Sequence, residues 1–401
     1  MARVAMLLGN PFTHDARVER EARTLVGLGH EVTVFCVAKE GLPAGETRAG
    51  VRIVRVPVPG WLGWTGPLRL VPLLRYFSRY GFLARAAEPW RPEVVHGHDL
   101  ELLLPAARLA ERLGVPHVHD DHEVGVEKLP AQTPTWLRGP KRWVLDLYTL
   151  RLIARAERLQ RAWFPRAAAV ITVSEGCAET LAQYGAKPVV LRNVPEWRDL
   201  PPDPRLRERA GLPPRTRIAL SQGTMTEATA PDVCVAAARF LPEGWAVVFL
   251  GVTWMRPLLE EQARKEGLSD RVRFLDAVPP EELPGFTRAA DVGLTPLRVR
   301  NAAERHGLAN KLFEYLQAGL PIVTTDGCAQ GKLVQEEDAG VALKSLDPRA
   351  MAEAIVALGA LPRPERERRS ERLRALSRER YCWQVESRTL ADTYARVLAR
   401  P

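Results

Sequence analysis

The segment Asn310–Thr325 constrains the fold of this chain most, because it joins a short helix directly to a buried strand. In its helical part, Asn310 is predicted to be the N-cap, Gly319 to be a left-handed C-terminal cap, and Pro321 to stop the helix. The run Ile322–Thr325 that follows is β-branched throughout, which is typical of a parallel strand buried on both faces. Helices cover such strands on both sides, so the segment predicts an α/β domain with a parallel sheet.

The N-terminal end of this short helix is predicted to be a binding site. A helix N-terminus that faces the carboxyl edge of a sheet presents free amide N–H groups and the positive end of the helix dipole to an anion. Glu314 lies one turn into the helix, where its carboxylate could accept hydrogen bonds from a pair of sugar hydroxyls.

The strand–helix pattern occurs in both halves of the 401 residues, which predicts two α/β domains. The chain opens with a strand at residues 4–8, a helix at 15–28 and a strand at 31–37. The first turn lacks the GxGxxG pattern, which argues against a dinucleotide oxidoreductase. Residues 196–214 are rich in proline and charge, and we predict that they form the linker between the domains.

Composition narrows the class of protein. The hydrophobic content of 46% and the charged content of 26% are ordinary for a soluble globular protein. The five cysteines are dispersed without a CxxC pair, so neither a disulfide framework nor a zinc site is predicted. No apolar run is long enough to span a bilayer, and Met1 is followed by a strand-like stretch rather than a signal peptide, so we expect a cytoplasmic protein.

Two basic, aromatic-rich stretches allow two interpretations. Residues 61–90 and, more densely, residues 136–166 combine leucines and aromatic residues with arginines, and the net charge of the chain is +9. Helices of this kind can lie on an anionic membrane surface. Equally, they can pack their apolar stripe on the sheet and leave the arginines in solvent.

Histidines cluster at the ends of two predicted neighbouring strands, residues 94–99 and 116–123, which together hold five of the eight histidines. Open α/β sheets bind ligands at this edge. Three interpretations stay open: a metal site, although the spacing matches no standard pattern; structural histidines that cap loops; or a substrate site.

The segment Asn310–Pro321 resembles the signature helix of the retaining family-4 glycosyltransferases, which have the GT-B fold. The stretches 14–22 and 29–34 are similar to the opening of one bacterial branch of that family, as are the words His-x-His-Asp and Asp-x-His-Glu at the two strand ends. The resemblance implies two Rossmann-like domains that face each other across a cleft, with a C-terminal helix that crosses back to the N-terminal domain. The implied domains are 1–195 with 380–401, and 208–379.

The resemblance also implies site residues and partners. It implies Glu314 for the ribose of a nucleotide-sugar donor and His122 for the donor sugar, and these two are the predicted catalytic residues. The other predicted donor-binding residues are Gly223, Thr224, His306, Gly307, Leu308, Asn310 and Lys311. The predicted acceptor-side residues are His14, Asp15, His98, Asp99, Asp121 and Glu123.

The implied reaction is a metal-independent transfer with retention in polysaccharide biosynthesis. The donor would be of the UDP or GDP type and would be a substrate, so no cofactor is predicted. The acceptor would be a glycan or a lipid-linked precursor, peripheral contact with an anionic membrane is possible, and no nucleic-acid partner is predicted.

The chain departs from the family pattern at two places. His306 stands where the family has a second acid, and Glu304 is out of register with that position. The loop after the first strand of the second half has no arginine or lysine to neutralise a diphosphate; Met225, Thr226, Glu227 and Thr229 stand there instead. Lys311, with Arg298, Arg300 or Arg305, could replace the missing cations. Three alternatives therefore remain: a non-catalytic binding member, a nucleotide-sugar epimerase and a metal-dependent hydrolase.

Overall fold

The computed structural model describes residues 1–13, 15–60, 76–122, 126 and 140–399. These residues form two compact α/β units, one made of Met1–Arg192 with Ser387–Pro401 and the other of Asn193–Glu386. The last part of the chain thus belongs to the first unit, as predicted for the C-terminal helix. His14, Glu123 and the outer parts of the two basic stretches, 61–75 and 136–139, lie outside the described residues.

The first unit contains an eight-stranded sheet in the order β3-β4-β2-β1-β5-β6-β7-β8. Every neighbouring pair is parallel except β3 and β4. The strands are β1 (Arg3–Leu8), β2 (Glu31–Val37), β3 (Gly45–Arg48), β4 (Val51–Val56), β5 (Val94–His98), β6 (His117–Asp120), β7 (Ala169–Thr172) and β8 (Pro188–Val190). The described helices are α1 (Ala16–Gly27), α2 (Gly81–Ala87), α3 (Leu100–Leu113), α4 (Pro140–Trp163) and α5 (Glu175–Ala182).

The second unit contains a six-stranded sheet in the order β11-β10-β9-β12-β13-β14, parallel throughout. Its strands are β9 (Arg217–Gln222), β10 (Trp245–Leu250), β11 (Val272–Leu275), β12 (Val292–Thr295), β13 (Ile322–Thr325) and β14 (Gly340–Leu343). Its helices are α6 (Arg205–Arg209), α7 (Pro231–Ala237), α8 (Arg256–Lys265), α9 (Leu283–Arg288), α10 (Ala302–His306), α11 (Asn310–Ala318), α12 (Ala329–Glu336), α13 (Pro348–Gly359) and α14 (Arg363–Arg380). The final helix, α15 (Trp383–Leu398), begins in this unit and continues into the first.

Strand order sets where a ligand can bind in each unit. The order reverses between β1 and β5 in the first sheet and between β9 and β12 in the second. Open α/β sheets bind ligands outside the carboxyl ends of the strands at such a reversal. His98 ends β5 and Gln222 ends β9, so these two residues mark the candidate sites.

The short helix α11 confirms most of its sequence prediction. Gly319 caps it with φ of 75° and Pro321 follows before β13, as expected. A Cβ at Gly319 would also collide with Ser370 of α14, so glycine is required on two grounds. The N-cap, however, is Ala309 and not Asn310, which is the first helical residue. The first amides of α11 therefore have no side-chain cap.

The prediction that residues 196–214 form a simple linker is wrong for their second half. They include α6, and Arg207 of that helix donates hydrogen bonds to the backbone oxygen of Ala289 and to the carboxylate of Asp291. This proline-rich, charged segment therefore packs on the second unit, because Arg207 bonds to residues 82 and 84 positions further along the chain.

Candidate functional site

Glu314 is held in place at the carboxyl end of β9. The side-chain amide of Gln222 donates to Glu314 Oε2 at 2.6 Å, and the hydroxyl of Thr287 donates to Gln222 Oε1 at 2.8 Å. The carboxylate can only accept, so the nitrogen end of the amide faces it. The sequence analysis missed both Gln222 and Thr287, because nothing local marks a contact between residues that are 92 positions apart.

Tyr315 anchors α11 beneath this site. Its hydroxyl accepts from the backbone N–H of Gln222 at 3.1 Å and lies 2.9 Å from the carbonyl oxygen of Leu220 and 3.2 Å from that of Leu294. Its ring lies against Gly293 of β12, where a Cβ would overlap it. The helix that carries Glu314 is therefore tied to both strands at the reversal of the sheet.

We expect Tyr315→Phe to lower the free energy of unfolding by about 1 to 3 kcal/mol, because it leaves the buried backbone N–H of Gln222 without the hydroxyl that accepts its hydrogen bond. Urea denaturation monitored by circular dichroism would measure the loss. A change below about 0.3 kcal/mol would contradict the anchoring role, since surface substitutions fall in that range.

Lys311 is a buried cation at the start of α11. Its side chain is only 8% exposed, and within the described part of the chain it makes no hydrogen bond or ion pair. Burial lowers the pKa of Lys311, while Cys234 and Glu314 act in the opposite direction. An unpaired ammonium beside an uncapped helix N-terminus is an arrangement that favours a bound anion.

The arginines that could have assisted Lys311 are mostly engaged elsewhere. Both terminal nitrogens of Arg298 donate to Asp232, at 2.9 and 2.6 Å. Arg300 donates to Glu304 at 2.9 Å, which also gives the out-of-register acid a structural role. Arg305 is exposed on α10. Lys311 is therefore the best-placed cation for an anion at this helix end.

The loops and helix ends around this site hold five of the predicted donor-binding residues. Gly223 follows β9 with φ of 84°, and a Cβ on its neighbour Gly251 would collide with the Gly223 carbonyl oxygen, so two glycine backbones touch here. The N–H of Gly307, a predicted donor-binding residue, donates to the carbonyl oxygen of Ala303 at 2.9 Å, so this amide is not free to bind a ligand. The amide of Leu308 has no recorded acceptor among the described residues. His306 ends α10 and Thr224 is exposed.

The first unit has a buried ion pair at its own strand reversal. Nε and Nη2 of Arg17 donate to the two oxygens of Asp120 at 2.7 and 2.9 Å, and Nη1 donates to the carbonyl oxygen of Leu191. Both side chains of the pair are almost fully buried. Although burial opposes it, the Arg17 guanidinium holds the pKa of Asp120 well below its usual range.

His122 lies between two carboxylates. Its Nδ1 is 3.6 Å from Asp120 Oδ2 and its Nε2 is 3.5 Å from Asp99 Oδ1. Burial alone would lower the pKa of His122, but Asp99 and Asp120 outweigh it and raise the pKa to about 10. Asp99 has φ of 67°, uncommon for a residue other than glycine, and its N–H donates to the carbonyl oxygen of Asp120 at 2.9 Å. This bond links the two strand ends that carry the site.

Three predicted acceptor-side residues contact other groups of the protein. His98 is fully buried with Nδ1 3.5 Å from Asp120, and Asp121 is buried and accepts from Gln160. Both are buried against these partners, and their assignment to the acceptor side remains a prediction. Asp15 caps α1 by accepting from the N–H of Val18, and its other oxygen accepts from Asn10. Asp99 remains partly exposed beside His122.

Glu21, His96 and His98 place possible metal-ligand atoms within 4.8 Å of one another. The two imidazole rings are stacked, with centroids 4.3 Å apart and an interplanar angle of 26°. Nitrogen lone pairs lie in the ring plane, so two stacked rings cannot both point at an ion about 2 Å away. Glu21 is also 3.1 Å from Arg17, and His96 Nδ1 is 2.8 Å from the hydroxyl of Tyr394. We interpret this group as a structural cluster, which agrees with the second interpretation of the histidines.

Comparison with known proteins agrees with the geometry of both units. Residues 14–197 match the glycosyl transferase 4-like domain, and residues 217–360 match glycosyl transferases group 1. The D-inositol 3-phosphate glycosyltransferase of Xylanimonas cellulosilytica is 30% identical over 99% of this chain and 97% of its own length. The chain belongs to the family-4 glycosyltransferases. A second relative of the same name, from Thermobispora bispora, is 27% identical over 98% of this chain and 93% of its own length.

Solved structures confirm the predicted GT-B fold. Sucrose-phosphate synthase from Thermosynechococcus elongatus matches with a TM-score of 0.77 and 18% identity, over the full length of both chains. Anabaena HepE in complex with UDP-glucose matches with a TM-score of 0.71 and 14% identity, over 98% of this glycosyltransferase and all of HepE. None of the described helices is both long and apolar enough to cross a membrane.

Proposed function

We propose that this glycosyltransferase moves a sugar from a nucleoside diphosphate sugar of the UDP or GDP type to an acceptor hydroxyl, with retention and without a metal. The observation that carries the proposal is the pair of functional groups on α11. The unpaired Lys311 ammonium suits a diphosphate, and the oriented Glu314 carboxylate, one turn further on, suits the two ribose hydroxyls. HepE, which shares the fold, binds UDP-glucose, and this supports the donor class.

In the proposed transfer, the bond between the anomeric carbon and the diphosphate breaks, and the acceptor oxygen bonds to that carbon on the same face. The proton of the acceptor hydroxyl passes to the leaving diphosphate. Negative charge grows on the leaving diphosphate as the bond breaks. Lys311 and the uncapped N-terminus of α11 stabilise this charge, which is the task that the usual basic residues of the loop would otherwise perform. His306 could hydrogen-bond a hydroxyl of the donor sugar at the position of the missing acid.

His122 is the proposed contact of the first unit with the donor sugar. This assignment rests on the family resemblance, and the partial exposure of the ring supports it, since the side chain is 18% exposed while its partner Asp120 is fully buried. Because its pKa is raised to about 10, the imidazole carries a proton on both nitrogens at neutral pH. Nδ1 faces the buried Asp120, so the N–H at Nε2, on the side of the partly exposed Asp99, is the proposed donor to the sugar.

Two classes of acceptor have support. The relatives named D-inositol 3-phosphate glycosyltransferase favour a small phosphorylated polyol. The surface of α4 favours a lipid-linked glycan: Trp143 and Leu150 are 68% and 63% exposed and lie two helical turns apart on one face, with Arg151 and Arg158 exposed beside them. The opposite face of α4 packs into the core of the unit.

The experiment that tests the function incubates the protein with UDP- and GDP-sugars and with acceptors of both classes. We expect a transfer product with one acceptor class, and its anomeric configuration, read by NMR coupling constants, should equal that of the donor. EDTA should not change the rate. Release of free sugar alone, or a product with the opposite configuration, would overturn the proposal.

We expect the wild-type protein to bind vesicles that contain anionic lipid and to be released as salt is added, because arginines on α4 are attracted to the surface. The variant Trp143→Ser with Leu150→Ser should bind several-fold more weakly in a vesicle sedimentation assay. A control neutralises two exposed arginines of α14, Arg368→Gln with Arg378→Gln, and should bind as wild type does. Wild type that never sediments with these vesicles would remove the membrane contact.

A further inference from the structure

The buried pair Arg17 and Asp120 has no role in the function proposed so far. Its members come from α1 and β6, 103 positions apart, and they meet at the strand reversal of the first sheet. Replacing both with apolar residues is often neutral or stabilising for a buried ion pair, so its presence is weak evidence for a purely stabilising role. The geometry around Asp120 shows what else the pair does.

The carboxylate of Asp120 lies close to three charged or titratable side chains. Arg17 engages both of its oxygens, which fixes the rotation of the carboxylate. Oδ2 then faces Nδ1 of His98 at 3.5 Å and Nδ1 of His122 at 3.6 Å. The third donor of Arg17, Nη1, is held by the carbonyl oxygen of Leu191 just after β8, so the guanidinium cannot turn away.

Of the described side chains that contact this carboxylate, His122 is the one that reaches the surface. Arg17, His98 and Asp120 are nearly or fully buried, whereas His122 is partly exposed, with Asp99 on its far side. The pair is therefore connected to solvent through one imidazole ring.

We propose that Arg17 and Asp120 are positioning residues for His122, holding its ring between Asp120 and Asp99 in the orientation that meets the donor sugar. The sugar contact of His122 belongs to the proposed function, and this inference rests on it. Asp120 touches no substrate and acts only through the ring.

The protonation of His122 follows from the same arrangement. Asp99 at the end of β5 and Asp120 on β6 favour the imidazolium, while burial and Arg17 on α1 oppose it. The other described titratable groups that interact with Arg17, Asp120 or His122 are Asp15 and Glu21 of α1 and its cap, His96 and His98 on β5, His119 on β6 and Tyr394 on α15. Removing the charge of Asp120 therefore brings the titration of His122 down toward neutral pH. The site then loses both the ring orientation and its fixed proton.

The test compares Asp120→Asn with wild type by two measurements. In NMR spectra with 15N-labelled histidine, the His122 ring should begin to titrate between pH 6 and 8 in the variant, and should not do so in wild type. At saturating donor, kcat should fall about 10- to 100-fold while KM for the donor changes less than about threefold. The kcat of the variant should also acquire a pH dependence in this range, which a purely structural role would not produce.

The variants are chosen so that folding does not decide the result. Arg17→Gln with Asp120→Asn removes both charges of the pair. Burial raises the pKa of Glu21, which lies 3.1 Å from Arg17, to about 7, so this carboxyl can take up a proton when Arg17 is lost. The double variant should therefore fold and show the same shift of the His122 titration. Arg17→Lys keeps a cation but loses the bidentate contact with Asp120, so it should retain part of the wild-type kcat. Glu46→Gln is the matched control, because Glu46 pairs with the buried Arg55 at the edge of the same sheet; its kcat–pH profile should match wild type.

An unchanged His122 titration and an unchanged kcat–pH profile in folded Asp120→Asn or in the double variant would overturn the positioning role. Failure of the proposed function gives a different result. If His122→Ala transfers sugar at the wild-type rate, His122 does not contact the donor sugar, although the titration experiment can still show that Asp120 holds the ring.

Discussion

Replacing Lys311 with methionine is expected to weaken the binding of a nucleoside diphosphate by about 2 to 3 kcal/mol, or roughly 30- to 150-fold. The ammonium is buried at the start of α11, and within the described residues it has no anionic partner of its own, so a bound diphosphate would be the first charge to pair with it. Isothermal titration of UDP and GDP into the two proteins would measure the loss. Arg305→Met is the matched control, because Arg305 is an exposed cation on the preceding helix.

The same substitution should leave the free protein at least as stable as wild type. Burial lowers the pKa of Lys311 below its unfolded value of 10.5, so the unfolded chain binds this proton more tightly than the folded one. The charged lysine therefore destabilises the fold at all pH values below its folded pKa, and this penalty shrinks as pH rises toward 10.5. Methionine removes it. A variant that binds UDP and GDP as wild type does, or that unfolds more easily, would make Lys311 a structural residue.

Replacing Glu314 with alanine is expected to cost about 2 kcal/mol or more of donor affinity, because it leaves two ribose hydroxyls without their acceptor. Gln222→Leu should reproduce part of this loss, since the Gln222 amide orients the carboxylate at 2.6 Å. Glu304→Ala is the control, because that acid pairs with Arg300 on the surface of α10.

Deoxy ligands make the Glu314 prediction specific to the ribose. Wild type should bind 2′-deoxy and 3′-deoxy forms of the preferred nucleoside diphosphate more weakly than the parent compound. In Glu314→Ala the penalty for each missing hydroxyl should largely disappear, because a double-mutant cycle isolates the contact between the two groups. Equal penalties in both proteins would place the ribose away from Glu314.

Local sequence signals predicted the secondary structure around the site well. Caps, β-branched runs and proline act within a few residues, and for this reason the end of α11 at Gly319 and the strand β13 are where the sequence places them. The N-cap was misassigned because asparagine is merely a frequent cap. The chain instead remains extended through Ala309, and the helix begins at Asn310, one residue earlier than predicted.

The direction in which strand-end residues point was less predictable. A parallel strand buried on both faces lacks the alternation of polar and apolar residues that tells the inside from the outside. The family resemblance assigned His98 and Asp121 to the acceptor side, and the strand pattern did not indicate that both are buried. The Arg17–Asp120 pair and the Gln222–Glu314 bond join residues about one hundred positions apart, and a single sequence contains no local signal for such contacts.

The central claim is that Lys311 and Glu314 bind a nucleoside diphosphate without a metal, and a thermal-shift panel tests it most directly. Wild type, Lys311→Met and Glu314→Ala would each be melted with UDP, GDP, ADP and CMP and with their common sugars, with and without EDTA. The account predicts a rise of several degrees for wild type with one nucleoside diphosphate and its sugars, unchanged by EDTA and largely lost in both variants. No rise with any nucleotide, or a rise that EDTA abolishes, would contradict it.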